Sequence, residues 1–131
     1  MASLAPVFVP VLVYERIHAD AAGESHFGPV EIDTVPRQFA PPAPAFNVSA
    51  FGQASRYGFL LLPCGWRGEL HPSPIRMWIV LLSGEMEFEA SDGQRRSVSA
   101  GSALLLEDLT GKGHLSWVSG NAAASMLVVE V

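Results

Sequence analysis

"SGEMEFEASDGQ", Ser83 to Gln94, decides the fold class. Glu85, Glu87 and Glu89 alternate strictly with Met86, Phe88 and Ala90, so the segment has the two-residue period of a strand with one wet face and one buried face. Asp92-Gly93 then supplies a tight turn, because this pair tolerates the positive φ that short hairpins demand. "RRSVS", Arg95 to Ser99, reads as the return strand. Ser83-Gly84 and Asp92-Gly93 together bracket an antiparallel meander.

The same grammar continues on both sides. Upstream, "YGFLLLP" and "IRMWIVLL" are apolar runs separated by the turn-rich "CGWRGELHPSP". Downstream, "SALLLE", "HLSWV" and "ASMLVVEV" are strand-like, joined by "DLTGKG" and "SGNA". At least six strands are predicted between Tyr57 and Val131. No window of helical length shows a 3.6-residue apolar stripe, so the expected class is all-β, a sandwich or closed barrel.

Residues 57–131 are therefore read as the barrel core, and residues 1–56 as an N-terminal strand plus a Pro-rich arm, in one domain overall. Met1 to Tyr14 is apolar, with Pro6 and Pro10 marking an edge or strand start. Phe39 to Phe46 is too rich in proline to sit inside a ladder. It is expected to wrap the barrel or reach a second subunit.

The chain has 131 residues, 49% of them hydrophobic, enough for a single core. Its net charge of −5 and its lack of a clustered Lys/Arg face argue against nucleic-acid binding. The N-terminal apolar stretch is too short to span a bilayer, and no membrane association is expected. The single cysteine, Cys64, can form no disulfide within one chain and is read as a small buried hydrophobe, with a cytoplasmic location as the default.

In the order "GWRGELHPSP", "LLSGEMEFEASDGQ", "AGSALLLEDLTGKGH", the chain resembles the cupin superfamily, which has two short motifs separated by a hairpin. It is more narrowly similar to small single-domain cupins whose second motif reads Glu-Asp-Thr-Thr-Gly-Lys-Gly-His. That group also carries a Gly-Glu-Ser-His-Phe, matched by Gly23 to Phe27, and a Phe-Ala-Pro-Pro-Ala-Pro, matched by Phe39 to Pro44. The resemblance implies a double-stranded β-helix, or jelly-roll barrel, and a homodimer.

It also implies a metal site, carried over incompletely. His71 and His114 match two usual ligands, while Ser73 and Met77 stand where the other two would be. Arg76 keeps the arginine of the group's Arg-Gln pair, Met77 replaces its glutamine, and Trp117 replaces a later arginine. These changes imply a flatter, greasier ligand. His26 is a third candidate ligand if the arm folds over the barrel mouth, so the cofactor is either absent or a weakly bound divalent metal.

Without a metal, a histidine near neutrality still moves protons, and a carboxylate beside it fixes its tautomer. His114 with Glu107 or Asp108 is the expected pair, and His71 is expected across the barrel from it. A second reading gives His71 a backbone hydrogen bond before Pro72, and Asp108 backbone amides in the loop. Gly111 and Gly113 are expected to supply backbone conformations closed to other residues. Lys112 and Arg76 are candidate anion contacts, with Glu69 or Glu107 as internal partners for Arg76. Trp78, Trp117, Met77 and Ser73 complete the expected ligand-binding set.

Two function classes follow. One is a metal-independent lyase, isomerase or decarboxylase using His71, His114 and Glu107 on a small organic molecule. The other is a non-catalytic small-molecule binding module. A metal-dependent oxygenase with an incomplete ligand set is third. The apolar N-terminal strand is expected to lie along a partner subunit's sheet edge.

Overall fold

The computed structural model describes residues 10–131, so most of the predicted Met1–Tyr14 strand lies outside the described residues. Ten strands follow: β1 (Val11–Ala19), β2 (Ser25–Arg37), β3 (Phe46–Ser49), β4 (Arg56–Leu62), β5 (Met77–Ser83), β6 (Glu85–Ala90), β7 (Arg95–Ser99), β8 (Ala103–Leu106), β9 (His114–Val118) and β10 (Ala124–Glu130). There is no helix among the described residues, and hence none long and apolar enough to cross a membrane.

The chain divides into two compact units. The larger comprises Tyr14–Val30 and Gly52–Val131, and the smaller holds residues 10–13 and 31–51. β1 adds in parallel to β8, pairing Arg16 with Leu105 and Ile17 with Leu106, which makes Tyr14–Ala19 integral to the larger unit.

In the larger unit, one sheet runs β1-β8-β5-β10-β4 and the other β7-β6-β9. Isolated bridges from Arg67 to Trp117 and from His71 to His114 lay the segment before β5 alongside β9. Strands from Arg56 onward thus alternate between the two sheets, except that the consecutive pair β6 and β7 share one. This is the strand order of a jelly-roll barrel.

The predicted hairpin is present. β6 pairs with β7 from Glu85–Ser99 to Glu89–Arg95, and Asp92 Oδ1 accepts the Gln94 amide at 2.9 Å inside the turn. Alternation then sorts the side chains. Met86 and Phe88 point inward from β6 and meet Ile79, Leu81, Leu104, Leu106, Met126 and Val128 from the opposing sheet. Ile17 of β1 joins this core and is fully buried. Each such side chain contributes about 1.5–3 kcal/mol of apolar burial. The inward positions are filled by large residues, so the barrel is a packed core along most of its length.

The smaller unit is a hairpin. Thr34–Arg37 of β2 pair antiparallel with Phe46–Ser49 of β3, and the prolines Pro41, Pro42 and Pro44 fall in the connection, where no ladder amide is required. Thr34 donates through both its amide and its hydroxyl to the Pro10 carbonyl, at 2.7 and 2.8 Å. Phe39 packs against Phe46 and Phe51, with ring centroids 5.9 and 5.7 Å away. Residues 10–55 therefore hold three strands where the sequence suggested one strand and an arm.

Candidate functional site

β5 begins, β8 ends and β9 begins at one end of the barrel, and the loop Glu107–Gly113 crosses that end. His114 opens β9 with its side chain inward, because Ser116 and Val118, two and four residues on, are also buried. It is 3% exposed. Its Nδ1 lies 2.6 Å from Oδ2 of Asp108, which is fully buried. Asp108 Oδ1 is equally buried and has no hydrogen-bond partner among the described residues. As a carboxylate, Asp108 accepts the Nδ1–H and leaves Nε2 as the ring's lone-pair nitrogen.

His71 is the immediate neighbour of His114 in the same sheet, not its counterpart across the barrel. The two backbones exchange both hydrogen bonds, at 3.2 and 3.0 Å, so their side chains share a face. The ring centroids are 5.4 Å apart at 42°. His71 is exposed, and its Nδ1 donates to the Glu69 carbonyl at 2.6 Å. Both imidazoles thus have Nδ1 engaged by an oxygen. Phe88, 6.0 Å from the His114 ring, closes the site from below.

The pairing requires glycine at 113. Its φ is +81°, and a Cβ there would fall well under 3.0 Å from the His71 carbonyl and the Pro72 nitrogen. Gly111, at φ +82°, meets the backbone of Gly23 in the same way. This contact begins an interlock between two segments more than eighty residues apart. Lys112 N–H donates to the Gly23 carbonyl at 2.9 Å, and Lys112 Nζ lies 2.7 Å from Glu24. Ser25, fully buried, donates its hydroxyl to the Gly113 carbonyl at 2.7 Å. "GESH" and "GKGH" are therefore one structural unit.

Charges within it are matched. The hydrogen bond from Lys112, then that from Ser91, holds the Glu24 carboxyl below its usual range, and Glu24 raises Lys112 in return. His26 lies between Asp20, 2.7 Å from Nε2, and Asp92, 2.9 Å from Nδ1. Both bonds raise its pKa, that from Asp20 first, since a ring with a carboxylate on each nitrogen is best satisfied as the cation.

Of the expected site residues, His71, His114 and Ser73 gather at this end. Ser73 is buried, with its hydroxyl donated to the Ile75 carbonyl and its amide to the Asp108 carbonyl. Met77 packs against the core. Asp108, not Glu107, is the carboxylate on His114. Glu107 turns to the outer face, accepting from Arg76 at 2.9 Å and Arg16 at 3.2 Å. Burial pushes its carboxyl upward, but the two arginines outweigh that and hold it below the usual range.

Arg76, Trp78 and Trp117 are not brought to the histidines. Trp78 lies between inward Met77 and Ile79, so it faces outward and meets Tyr14 edge-on at 5.9 Å. Trp117 lies between inward Ser116 and Val118, stacked on its outer side by Arg67 and Arg95 at 4.4 and 4.8 Å. Cys64 is exposed rather than buried, because it falls in the turn after β4. A groove of 220 Å³, lined by residues including Leu60, Ile75, Val128 and Glu130, opens at the same end of the barrel but touches neither histidine.

The donor set does not fit a resident metal. A stable transition-metal site takes three or four protein ligands, and no group of three or more His, Cys, Asp or Glu side chains able to hold an ion occurs among the described residues. His26 is committed to Asp20 and Asp92, and the Ser73 hydroxyl is committed to backbone.

No family model and no curated protein sequence matches the chain. Among solved structures it is similar to SPY1581, a conserved protein of unknown function from Streptococcus pyogenes. The identity is 25%, the match covers 60% of this chain and 67% of that one, and the TM-score is 0.41. It is also similar to the cupin domain of Cnp3 from Schizosaccharomyces pombe, at 13% identity over 95% of this chain and 86% of that one, with a TM-score of 0.46.

Proposed function

We propose that this is a cupin-like protein that uses His114 and His71 to move a proton on a small organic molecule at the barrel mouth, without a metal. The carrying observation is the buried Asp108–His114 pair at 2.6 Å, with the exposed His71 ring 5.4 Å away. Asp108 orients His114 and stabilises its cation when it takes a proton. His71, anchored to the Glu69 carbonyl, faces solvent and is the group that first meets a substrate. A carbon acid gives its proton to one ring and takes a different proton from the other, and exchange with water then restores both rings, which is the chemistry of an isomerase.

The test is α-proton exchange of small oxo acids in deuterium oxide, followed by NMR, with small phenols added as probes of binding alone. Exchange should fall by about 10²–10⁴-fold in His114→Ala and in His71→Ala. The second reading, a binding module without turnover, is favoured by the groove lined by Leu60, Ile75, Val128 and Glu130, which touches neither histidine. Ligand shifts in the NMR spectrum with no exchange dependent on either histidine would establish it and sink the first.

A further inference from the structure

Alternation along β4 turns Arg56, Gly58, Leu60 and Leu62 to one side, and Leu62 packs against the core, so all four belong to the inner face of the sheet. The register sets them beside Glu130, Val128, Met126 and Ala124 of β10 in turn. Burial fails along this row of pairs. Ala124 and Met126 are fully covered and Val128 is 9% exposed, whereas Leu60, on the same inner face, is 46% exposed. A Cβ built on Gly58 would meet nothing within 4 Å. The core is packed as far as Val128 and open over β4.

This opening is the 220 Å³ groove, with Ile75, just before β5, as a further wall. It has room for about seven waters at about 30 Å³ each, but Leu60, Ile75 and Val128 give water little to bond to. A glycine inside a strand forfeits packing and marks a place where a ligand comes close to the backbone. Gly58 fits that description, since a larger side chain there would fill the groove. The charged residues of the lining are Arg56 and Glu130, an ion pair. Their bonding capacity is unequally used. The hydrogen bond from Arg56, opposed by desolvation and aided by Ser55, holds the Glu130 carboxyl below its usual range, so Glu130 is an anion already partnered. Arg56 gives Glu130 only its Nε–H, and its terminal nitrogens make no hydrogen bond among the described residues. The donors left over belong to a planar guanidinium, whose natural complement is a carboxylate.

We propose that this groove is a binding site for a small apolar monocarboxylate, whose carboxylate meets the Arg56 terminal nitrogens and whose hydrocarbon lies on Gly58, Leu60, Ile75 and Val128. The space limits the ligand to about seven to ten non-hydrogen atoms, below the size of molecules that fill pockets of roughly 300–1,000 Å³. Burial of the hydrocarbon supplies most of the affinity, and the arginine fixes which end lies where. The proposal rests on the binding reading above and not on proton transfer, because the groove touches neither histidine.

Titration of the isotope-labelled full chain with hexanoate, followed by NMR, tests this. Amide shifts should saturate with a Kd on the order of 10 mM or tighter and centre on Gly58, Leu60 and Val128. Hexanol and hexylamine should bind at least about tenfold more weakly, and Arg56→Gln should weaken hexanoate by a similar factor, as loss of a charged hydrogen bond implies. Gly58→Leu, whose side chain enters open space, should keep the far-ultraviolet spectrum and abolish binding. His114→Ala should bind hexanoate as the wild type does. Hexanol or hexylamine shifting the same residues as tightly as hexanoate refutes the carboxylate and leaves the binding reading standing. Hexanoate shifts at full strength in Gly58→Leu, or lost in His114→Ala, put the ligand elsewhere and overturn the site. No shift with any of the three probes overturns the site and the binding reading together.

Discussion

Replacing Gly113 by alanine tests the geometry of the histidine pair more sharply than replacing either histidine. The backbone at 113 has φ +81°, which costs an L side chain about 1–2 kcal/mol by itself. The new Cβ would also be driven into the His71 carbonyl and the Pro72 nitrogen, both parts of backbone that a rotamer change cannot move. Relief requires His71 to move off β9, losing two backbone hydrogen bonds worth about 0.5–1.5 kcal/mol each. The sum is roughly 2–5 kcal/mol, or a fall in Tm on the order of 10 °C for a chain of this size. Gly93→Ala is the control: its φ is +92°, but a Cβ there would meet nothing within 4 Å, so only the conformational cost of about 1–2 kcal/mol applies. Urea denaturation of both variants gives the difference directly. Equal losses in Gly113→Ala and Gly93→Ala would refute the close crossing of His71 over the Gly-Lys-Gly turn, and with it the pairing of the two histidines.

Asp108→Ala should lower stability by about 1–3 kcal/mol in the same assay, because it leaves the buried Nδ1–H of His114 without an acceptor. An unchanged midpoint would mean that the pair is not formed. His26 has a raised pKa in the folded state, so its contribution is complete below about pH 6.5 and is lost as pH rises through the higher folded value. The stability gap between wild type and His26→Ala should therefore narrow with rising pH, and a gap that widens contradicts the two-carboxylate clasp. Glu107 has the opposite sign: its contribution is present above about pH 4.5 and disappears as pH falls through its lowered folded value, which Glu107→Gln should abolish. Lys112→Ala should cause only a small loss that added salt diminishes, since its pair with Glu24 is exposed.

Sequence alone was sufficient for the all-β class, the meander around "EMEFEASDGQ" and the inward placement of His114, because each depends on a two-residue period or a turn that neighbouring residues dictate. The same period also places Trp78 and Trp117 on outer faces, once flanking residues are known to be buried. Other features depend on contacts between distant segments. Whether Glu107 or Asp108 reaches His114 turns on one residue of parity at the end of β8, where the strand gives way to the loop and alternation stops applying. His71 as neighbour of His114 depends on a single bridge outside any regular strand. The roles of Gly23, Glu24 and Ser25 come from meeting Gly111, Lys112 and Gly113 across the fold, though the two short motifs were visible as separate stretches. Local chemistry specifies how each strand lies. Which loop carboxylate, which histidine and which glycine come together is set by the packing of strands far apart in the chain, and no local pattern encodes that.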